Sequence, residues 1–245
     1  GVMKGVILGI SPSVQIVDIT HEVEPQNVVQ AMLLLAQSAP YFPPNTIHVA
    51  VVDPGVGTAR RAIAARLGKA YFVGPDNGLI SLLLQRALDE GQPTHIVHLT
   101  RPEYWLPRVS NVFHGRDLFA PVAAYLAEGI PLEELGEAIN DPVRLSIPRP
   151  ERTNDALRGQ ITLIDHFGNL STNITSEDLA GRRDVLVRVG EVQIGRLVET
   201  FGGGEPGDLV ALIDSSGALA IAQVRGSAAK RLNASVGDPV YVEGL

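Results

Sequence analysis

Apolar positions in the first half of the chain switch between short continuous runs and helical spacing. Val2, Val6, Ile7, Leu8 and Ile10 open it as the inside of a structured element. So abrupt a start leads us to expect a missing piece upstream. Val14–Ile19 reads as a strand. Pro25 suits the first turn of a helix, where its missing N–H costs little. Val28, Met32, Leu35 and Ala36 fall on one face of that helix, which Pro40, Pro43 and Pro44 end. Ile47–Val52 and Ala70–Val73 are apolar runs typical of strands buried on both faces. Asn77 can cap a helix carrying Leu79, Leu82, Leu83 and Leu84. Ile96–Leu99 is a further strand, and Asp117 can cap a helix through Tyr125 and Leu126. Alternation of this kind predicts a largely parallel sheet with helices on its faces.

The pattern changes at the polar stretch SIPRPERTND, Ser146–Asp155, which carries two prolines and reads as a linker. Beyond it, strands are expected at Gly159–Asp165, Val185–Val189, Leu209–Ile213, Leu219–Val224 and Pro239–Glu243. Gly202–Gly204, Ser215–Gly217 and Gly237–Asp238 supply turns. This predicts an all-β barrel or sandwich. The expected organisation is a mostly parallel α/β domain over 1–147, a linker over 148–156 and a smaller β-barrel-like domain over 157–245.

Composition narrows the function. Hydrophobic residues make up 45% of the 245 positions and charged residues 19%, which excludes wholesale disorder. The formal charge of −7 argues against nucleic acid or an anionic membrane as partner, because both are bound through clustered positive charge. No apolar run approaches the roughly 18 residues that cross a bilayer. Cysteine is absent, which removes disulfides, thiolate metal sites and a cysteine nucleophile and suits a reducing cytoplasm. No HxH or HExxH spacing points to a metal. Neither GxSxG, GxGxxG nor a phosphate loop with GK[ST] is present.

Five segments could carry chemistry. In VVDPGVGTARR, Val51–Arg61, a buried strand ends in Asp53 and a glycine-rich turn, where ligands gather in α/β sheets. Asp-Pro-Gly is also a turn in its own right, but two adjacent arginines offer Asp53 a partner that keeps it ionised. In Phe113-His114-Gly115-Arg116-Asp117 a polar cluster precedes a helix, and His114 stands out among the six histidines because glycine and opposite charges flank it. Gly74-Pro75-Asp76-Asn77-Gly78 reads as a turn and cap. Asp165–Asn173 sets Phe167 beside amide side chains that could meet a base, although asparagine and glycine also make hairpins. Asp214-Ser215-Ser216-Gly217 places two hydroxyls in a turn.

Taken together, the segments resemble the S-adenosyl-L-methionine hydrolase (adenosine-forming) family, the SAM hydroxide adenosyltransferases, which are relatives of fluorinase and chlorinase. The resemblance rests on GVMKGVI at Gly1–Ile7, VVDPGVGTARR at Val51–Arg61, GPDNGL at Gly74–Leu79, FHGRDLFAPVAA at Phe113–Ala124, IDHFGNLSTNI at Ile164–Ile174 and DSSGALAIA at Asp214–Ala222. It covers nearly the whole chain, in order. It implies hydrolysis of S-adenosyl-L-methionine (SAM) to adenosine and L-methionine by in-line attack of activated water or hydroxide on the ribose 5′ carbon. SAM is then a substrate and no cofactor is called for. It also implies a homotrimer with sites between the N-terminal domain of one subunit and the C-terminal domain of the next.

Carried over position by position, the water-activating set falls on Asp53, Arg60 and His114. Phe113 and Gly115 border the reacting groups. Asp165 is assigned to the methionine amino group, Phe167 and Asn169 to adenine, and Ser215 and Ser216 to the methionine carboxylate. The halogenase branch carries Tyr where Asp53 stands and a small hydroxyl residue where Gly115 stands, so the resemblance favours water over halide. The family's opening strand, ending TDFG with a ribose-binding aspartate, has no counterpart here. No ribose carboxylate is therefore assigned, and a chain starting at Gly1 is expected to be poorly active. The competing readings are a SAM-dependent halogenase, a non-catalytic adenosine- or SAM-binding protein, and another nucleoside enzyme such as a phosphorylase.

Overall fold

The computed structural model describes residues 1–153, 156–195 and 197–244; Asn154 and Asp155, within the expected linker, lie outside the described residues. The chain divides into two compact units, Gly1–Ser146 and Ile147–Leu245.

In the first unit, α1 (Val2–Ile10) and α2 (Val28–Ser38) precede β1 (Ile47–Val49), β2 (Ala62–Leu67) and β3 (Ala70–Pro75). Then come α3 (Ser81–Asp89), β4 (Thr94–Leu99), α4 (Ala120–Ala127) and β5 (Gly136–Ala138). The five strands lie in the order β1-β3-β2-β4-β5. Burial on both faces explains why β2 is almost wholly apolar. Ile63, Ala65 and Leu67 join Phe72, Leu79, Ile80 and the buried faces of α2 and α3 in one core. Ala62 and Ala64 meet Val73, Val97, Phe119 and Val122 in another.

The α/β class holds, but the expected largely parallel arrangement does not. Only β1–β3 is parallel, whereas β3–β2, β2–β4 and β4–β5 are antiparallel. The cause is β2. Its sequence AIAARL carries three alanines, too weak an apolar signal to mark a strand. It folds back on β3 as a hairpin and inserts between β3 and β4, the two strands joined through α3.

Other expectations shift locally. Val14–Ile19 forms no strand. Val14 and Ile16 pack against the α1–α4 cluster while Val17 and Ile19 face outward, so the alternation is real but lacks a ladder partner among the described residues. Helix α2 begins at Val28, not at Pro25, because the Asn27 side chain accepts from the Gln30 N–H at 2.9 Å and supplies the cap. Strand pairing of the 47–52 run stops at Val49. Asn77 does not cap α3, whose N-terminal neighbour is Ile80.

The second unit contains β6 (Glu151–Arg152), β7 (Ala156–Ile164), β8 (Leu170–Thr175), β9 (Leu186–Val189) and β10 (Val192–Ile194). Strands β11 (Leu209–Ile213) and β12 (Ala218–Gln223), the short helix α5 (Ala228–Leu232) and β13 (Pro239–Glu243) follow. The main sheet runs β10-β9-β13-β7-β8-β12-β11, antiparallel throughout and nearly closed like a barrel, with β6 added to β7. Its interior is filled by Ile161, Leu170, Ile174, Val187, Leu219, Ile221, Val240 and Val242. Strand β8 escaped the sequence reading because polar Thr172 takes the central inward position of LSTNIT and interrupts the apolar alternation, yet its burial alternates strictly.

Candidate active site

The connection between β1 and β2 carries both Asp53 and Arg60. The Arg60 guanidinium grips Asp53 in a fork, with Nε donating to Oδ1 at 3.1 Å and Nη2 to Oδ2 at 2.5 Å. Both side chains are over nine-tenths buried, 8% exposed for Arg60 and 5% for Asp53. Nη2 also lies 2.9 Å from His114 Nδ1. An arginine cannot accept a proton, so it donates to Nδ1, and the proton of the neutral imidazole sits on Nε2. Burial holds His114 below the ordinary histidine range and the Arg60 charge adds to that, against an opposite pull from Asp53 and Asp117. The imidazole is therefore neutral near pH 7.

Arg60 Nη1 donates to the Arg61 carbonyl at 3.0 Å. Four of its five N–H donors are thus engaged. The second Nη1 hydrogen has no protein acceptor among the described residues. Below the guanidinium, the Phe119 ring stacks at 5.5 Å from Cζ. The result is a fixed row of carboxylate, guanidinium and imidazole.

His114 leads into a π-helical turn, Gly115–Phe119, just before α4. Asp117 does not cap α4, as its sequence position suggested. It is fully buried within this turn, accepts from the Ser110 N–H at 2.8 Å, and pairs with Arg116 at 2.6 Å. That pairing and the backbone bond hold its carboxyl below the usual range despite burial. A depressed native pKa stabilises the fold above the unfolded value near 3.9, and the benefit fades as pH falls through the lower native value. Asp117→Asn should therefore melt below the wild type at pH 7, with the gap closing as pH drops below about 4. Melting temperatures of both proteins from pH 7 to pH 3 check this. A constant gap contradicts it.

Phe113 is partly exposed, with the Arg116 guanidinium 5.0 Å above its ring. Gly115 is buried, and a Cβ there would stand 3.0 Å from Met3 Sδ of α1. A side chain at 115 would thus press on α1.

In the second unit Asp165, Phe167 and Asn169 form one loop between β7 and β8. Asp165 Oδ1 accepts from the N–H groups of Phe167 and Asn169, both at 2.9 Å, and Oδ2 accepts from Asn169 Nδ2 at 2.8 Å. Gly168 takes φ +84°, which this tight turn needs. The closed loop leaves Phe167 74% exposed. Ser215 and Ser216 occupy the β11–β12 turn. There Asp214 Oδ1 accepts from Ser216 N and Oγ at 2.8 and 2.6 Å and from Ala218 N at 3.1 Å, and Oδ2 accepts from Ser171 Oγ at 3.1 Å. Sequence reasoning missed the organising roles of Asp214 and Ser171. Aspartate heading a turn was the available signal for Asp214, and nothing marked Ser171.

An α/β unit with an acid–guanidinium–imidazole row, its ion pair buried, beyond a strand end, followed by an antiparallel barrel-like unit, defines a two-part α/β–β class of protein. The model of the SAM hydroxide adenosyltransferase N-terminal domain matches residues 1–136 and that of its C-terminal domain residues 159–241, and the chain belongs to this family. It is 42% identical over 240 residues to an (R)-S-adenosyl-L-methionine hydrolase of Salinispora tropica, spanning 97% of this chain and 90% of that protein. It is 31% identical over 275 residues to a fluorinase of an Actinoplanes species, spanning 98% and 91%. Its structure superposes on that of an uncharacterized conserved protein from Thermotoga maritima with a TM-score of 0.89 at 39% identity, covering 99% of this chain and 94% of the other.

Proposed function

We propose that this protein hydrolyses SAM to adenosine and L-methionine through attack of an activated water on the ribose 5′ carbon. The observation that carries the proposal is the hydrogen-bonded row of Asp53, Arg60 and His114, with the ion pair buried and the imidazole half-buried. The higher identity to a protein named as a hydrolase than to one named as a fluorinase supports water over halide. An acid at position 53, where the halogenase branch carries Tyr, supports it too.

The chemistry follows from charge. The substrate is a sulfonium cation and the leaving thioether is neutral, so hydroxide attack annihilates charge toward the transition state. A desolvated pocket strengthens the attraction between these charges and favours that dispersal. The unused Nη1 hydrogen of Arg60 and the Nε2–H of His114 are donors for the attacking oxygen. Asp53 uses one acceptor position per oxygen on Arg60 and meets no other donor among the described residues, so in this reading it takes the proton. Nδ1 of His114 is occupied by Arg60, which makes the imidazole a donor instead of the base. Holding oxygen, carbon and sulfur in line contributes about 7–11 kcal/mol by orientation alone.

In the same proposal the 74%-exposed Phe167 ring stacks on adenine beside Asn169, Asp165 meets the methionine ammonium, and Ser215 and Ser216 meet its carboxylate. Phe113 and Gly115 border the reaction centre. Homotrimer assembly, with sites shared between subunits, and a cytoplasmic setting belong to this reading. None of the helices among the described residues is long and apolar enough to cross a membrane.

The test is turnover in heavy-oxygen water. One labelled oxygen should appear in each adenosine released. Both sulfonium epimers belong in the assay, because the Salinispora relative's name specifies the R form. Unlabelled adenosine, or a 5′-halo nucleoside formed with chloride or fluoride, would overturn the proposal.

A further inference from the structure

The segment Gly74–Gly78 follows β3, and the topology gives it a particular place. Strand β3 lies between β1 and β2, parallel to the first and antiparallel to the second. The end of β1, the start of β2 and the end of β3 therefore sit side by side. The loop that joins β1 to β2, bearing Asp53 and Arg60, arches across the exit of β3.

Two consecutive side chains at that exit reach the two feet of the arch. Asn77 Nδ2 donates to the carbonyl of Val52, the residue before Asp53, at 2.8 Å. Asp76 Oδ2 accepts from Arg61 Nε, the residue after Arg60, at 2.8 Å, and the Asp76 N–H donates to the Arg61 carbonyl at 2.9 Å. That carbonyl is also the acceptor for Arg60 Nη1. Asp76 itself is only 1% exposed and is held from behind, its Oδ1 accepting from the Val143 N–H at 2.8 Å. Arg61 is held in turn by Asp141, which takes its Nη1 at 2.8 Å.

We infer that Asp76 and Asn77 are positioning residues that pin both ends of the Asp53–Arg60 loop and so aim the Arg60 guanidinium at His114 and the attacking water. The inference rests on the proposed roles of Asp53, Arg60 and His114. The physical ground is that Arg60 is oriented by three acceptor groups, and one of them is a backbone carbonyl. A carbonyl is only as fixed as its peptide plane. Here the ladder bond to Asp76 and the Arg61–Asp76 ion pair fix it. Asn77 performs the matching service for the peptide leading into Asp53. A turn-and-cap reading of GPDNG accounts for none of this, because Asn77 leaves the helix uncapped and spends its amide on a residue 25 positions earlier.

The test uses Asp76→Asn and Asn77→Ala in the full chain, with two readouts. The first is steady-state adenosine release. A displacement of the guanidinium by about an ångström should lower kcat about tenfold or more, with KM for SAM within about twofold. The second is the NMR titration of His114, which needs no turnover. Burial lowers the pKa of that ring most; of the charged groups facing it, Arg60 lowers it further while Asp53 and Asp117 raise it. A guanidinium released from its place should let the His114 pKa rise toward the ordinary histidine value. If Asp76→Asn does not fold, Asn77→Ala carries both readouts. Folded variants with wild-type kcat and an unmoved His114 titration would overturn the inference. So would a fall in melting temperature with full kcat per folded molecule, which is what a merely structural brace would show. An inactive wild type with a shifted His114 titration in the variants would instead discard the hydrolase reading and leave the brace standing.

Discussion

Replacing Asp53 by asparagine should lower adenosine release by about a thousandfold, within the range expected for loss of a positioned proton acceptor. Asparagine fills the same space and can still accept one bond from Arg60. It cannot take the proton of the attacking water, and it donates where the carboxylate accepted. The change also touches stability. Arg60 is 8% exposed, and removing the charge opposite a buried guanidinium typically costs about 3–5 kcal/mol. Turnover must therefore be referred to folded protein, with melting temperature measured beside it. Asp53→Ala should be worse on both counts, because no acceptor remains. A folded Asp53→Asn variant keeping more than a third of wild-type turnover would remove Asp53 from the chemistry.

The Phe167→Ala variant should raise KM for SAM by about ten- to a hundredfold while kcat per bound substrate changes little. Stacking of a base on an aromatic ring contributes about 1–3 kcal/mol, and that interaction is the same in ground and transition states. The fold should not notice. The ring is 74% exposed, and the loop that presents it is closed by Asp165 through backbone and Asn169 bonds that alanine preserves. Phe167→Leu separates apolar area from stacking, since it keeps the first and loses the second. The measurement is a substrate titration of all three proteins at matched melting temperature. An unchanged KM in the alanine variant would move adenine recognition elsewhere.

Much of the site was legible in the chain because its residues are close in sequence and typed by chemistry. Asp53 and Arg60 are seven positions apart in one glycine-rich loop, and the structure joins them directly. Phe167 and Asn169 share a turn whose first residue, Asp165, does what an aspartate before glycine does. His114 was marked by its neighbours. Asp76 and Asn77 were misjudged for a definite reason. Local pattern offers an asparagine at the head of a leucine-rich run the role of cap, whereas its amide is spent on Val52, and only the side-by-side strand ends of β1, β3 and β2 bring that carbonyl near. Asp117 was misjudged in the same way, since a π-helical turn buries it where a regular helix start would have exposed it.

The order of apolar runs and turn residues settled that an α/β segment precedes an antiparallel β segment, because burial periodicity is a local property of the chain. The chemical types available, with no cysteine and a net negative charge, were likewise written in the composition. Strand direction was not. Whether β2 lies parallel or antiparallel to its neighbours depends on where it inserts, and an alanine-rich strand carries no mark of that. The tautomer of His114, the one Arg60 N–H without an acceptor among the described residues and the anchoring of Val52 and Arg61 also came only with the tertiary structure. Each depends on a hydrogen-bond direction between residues that the chain separates and the sheet brings together.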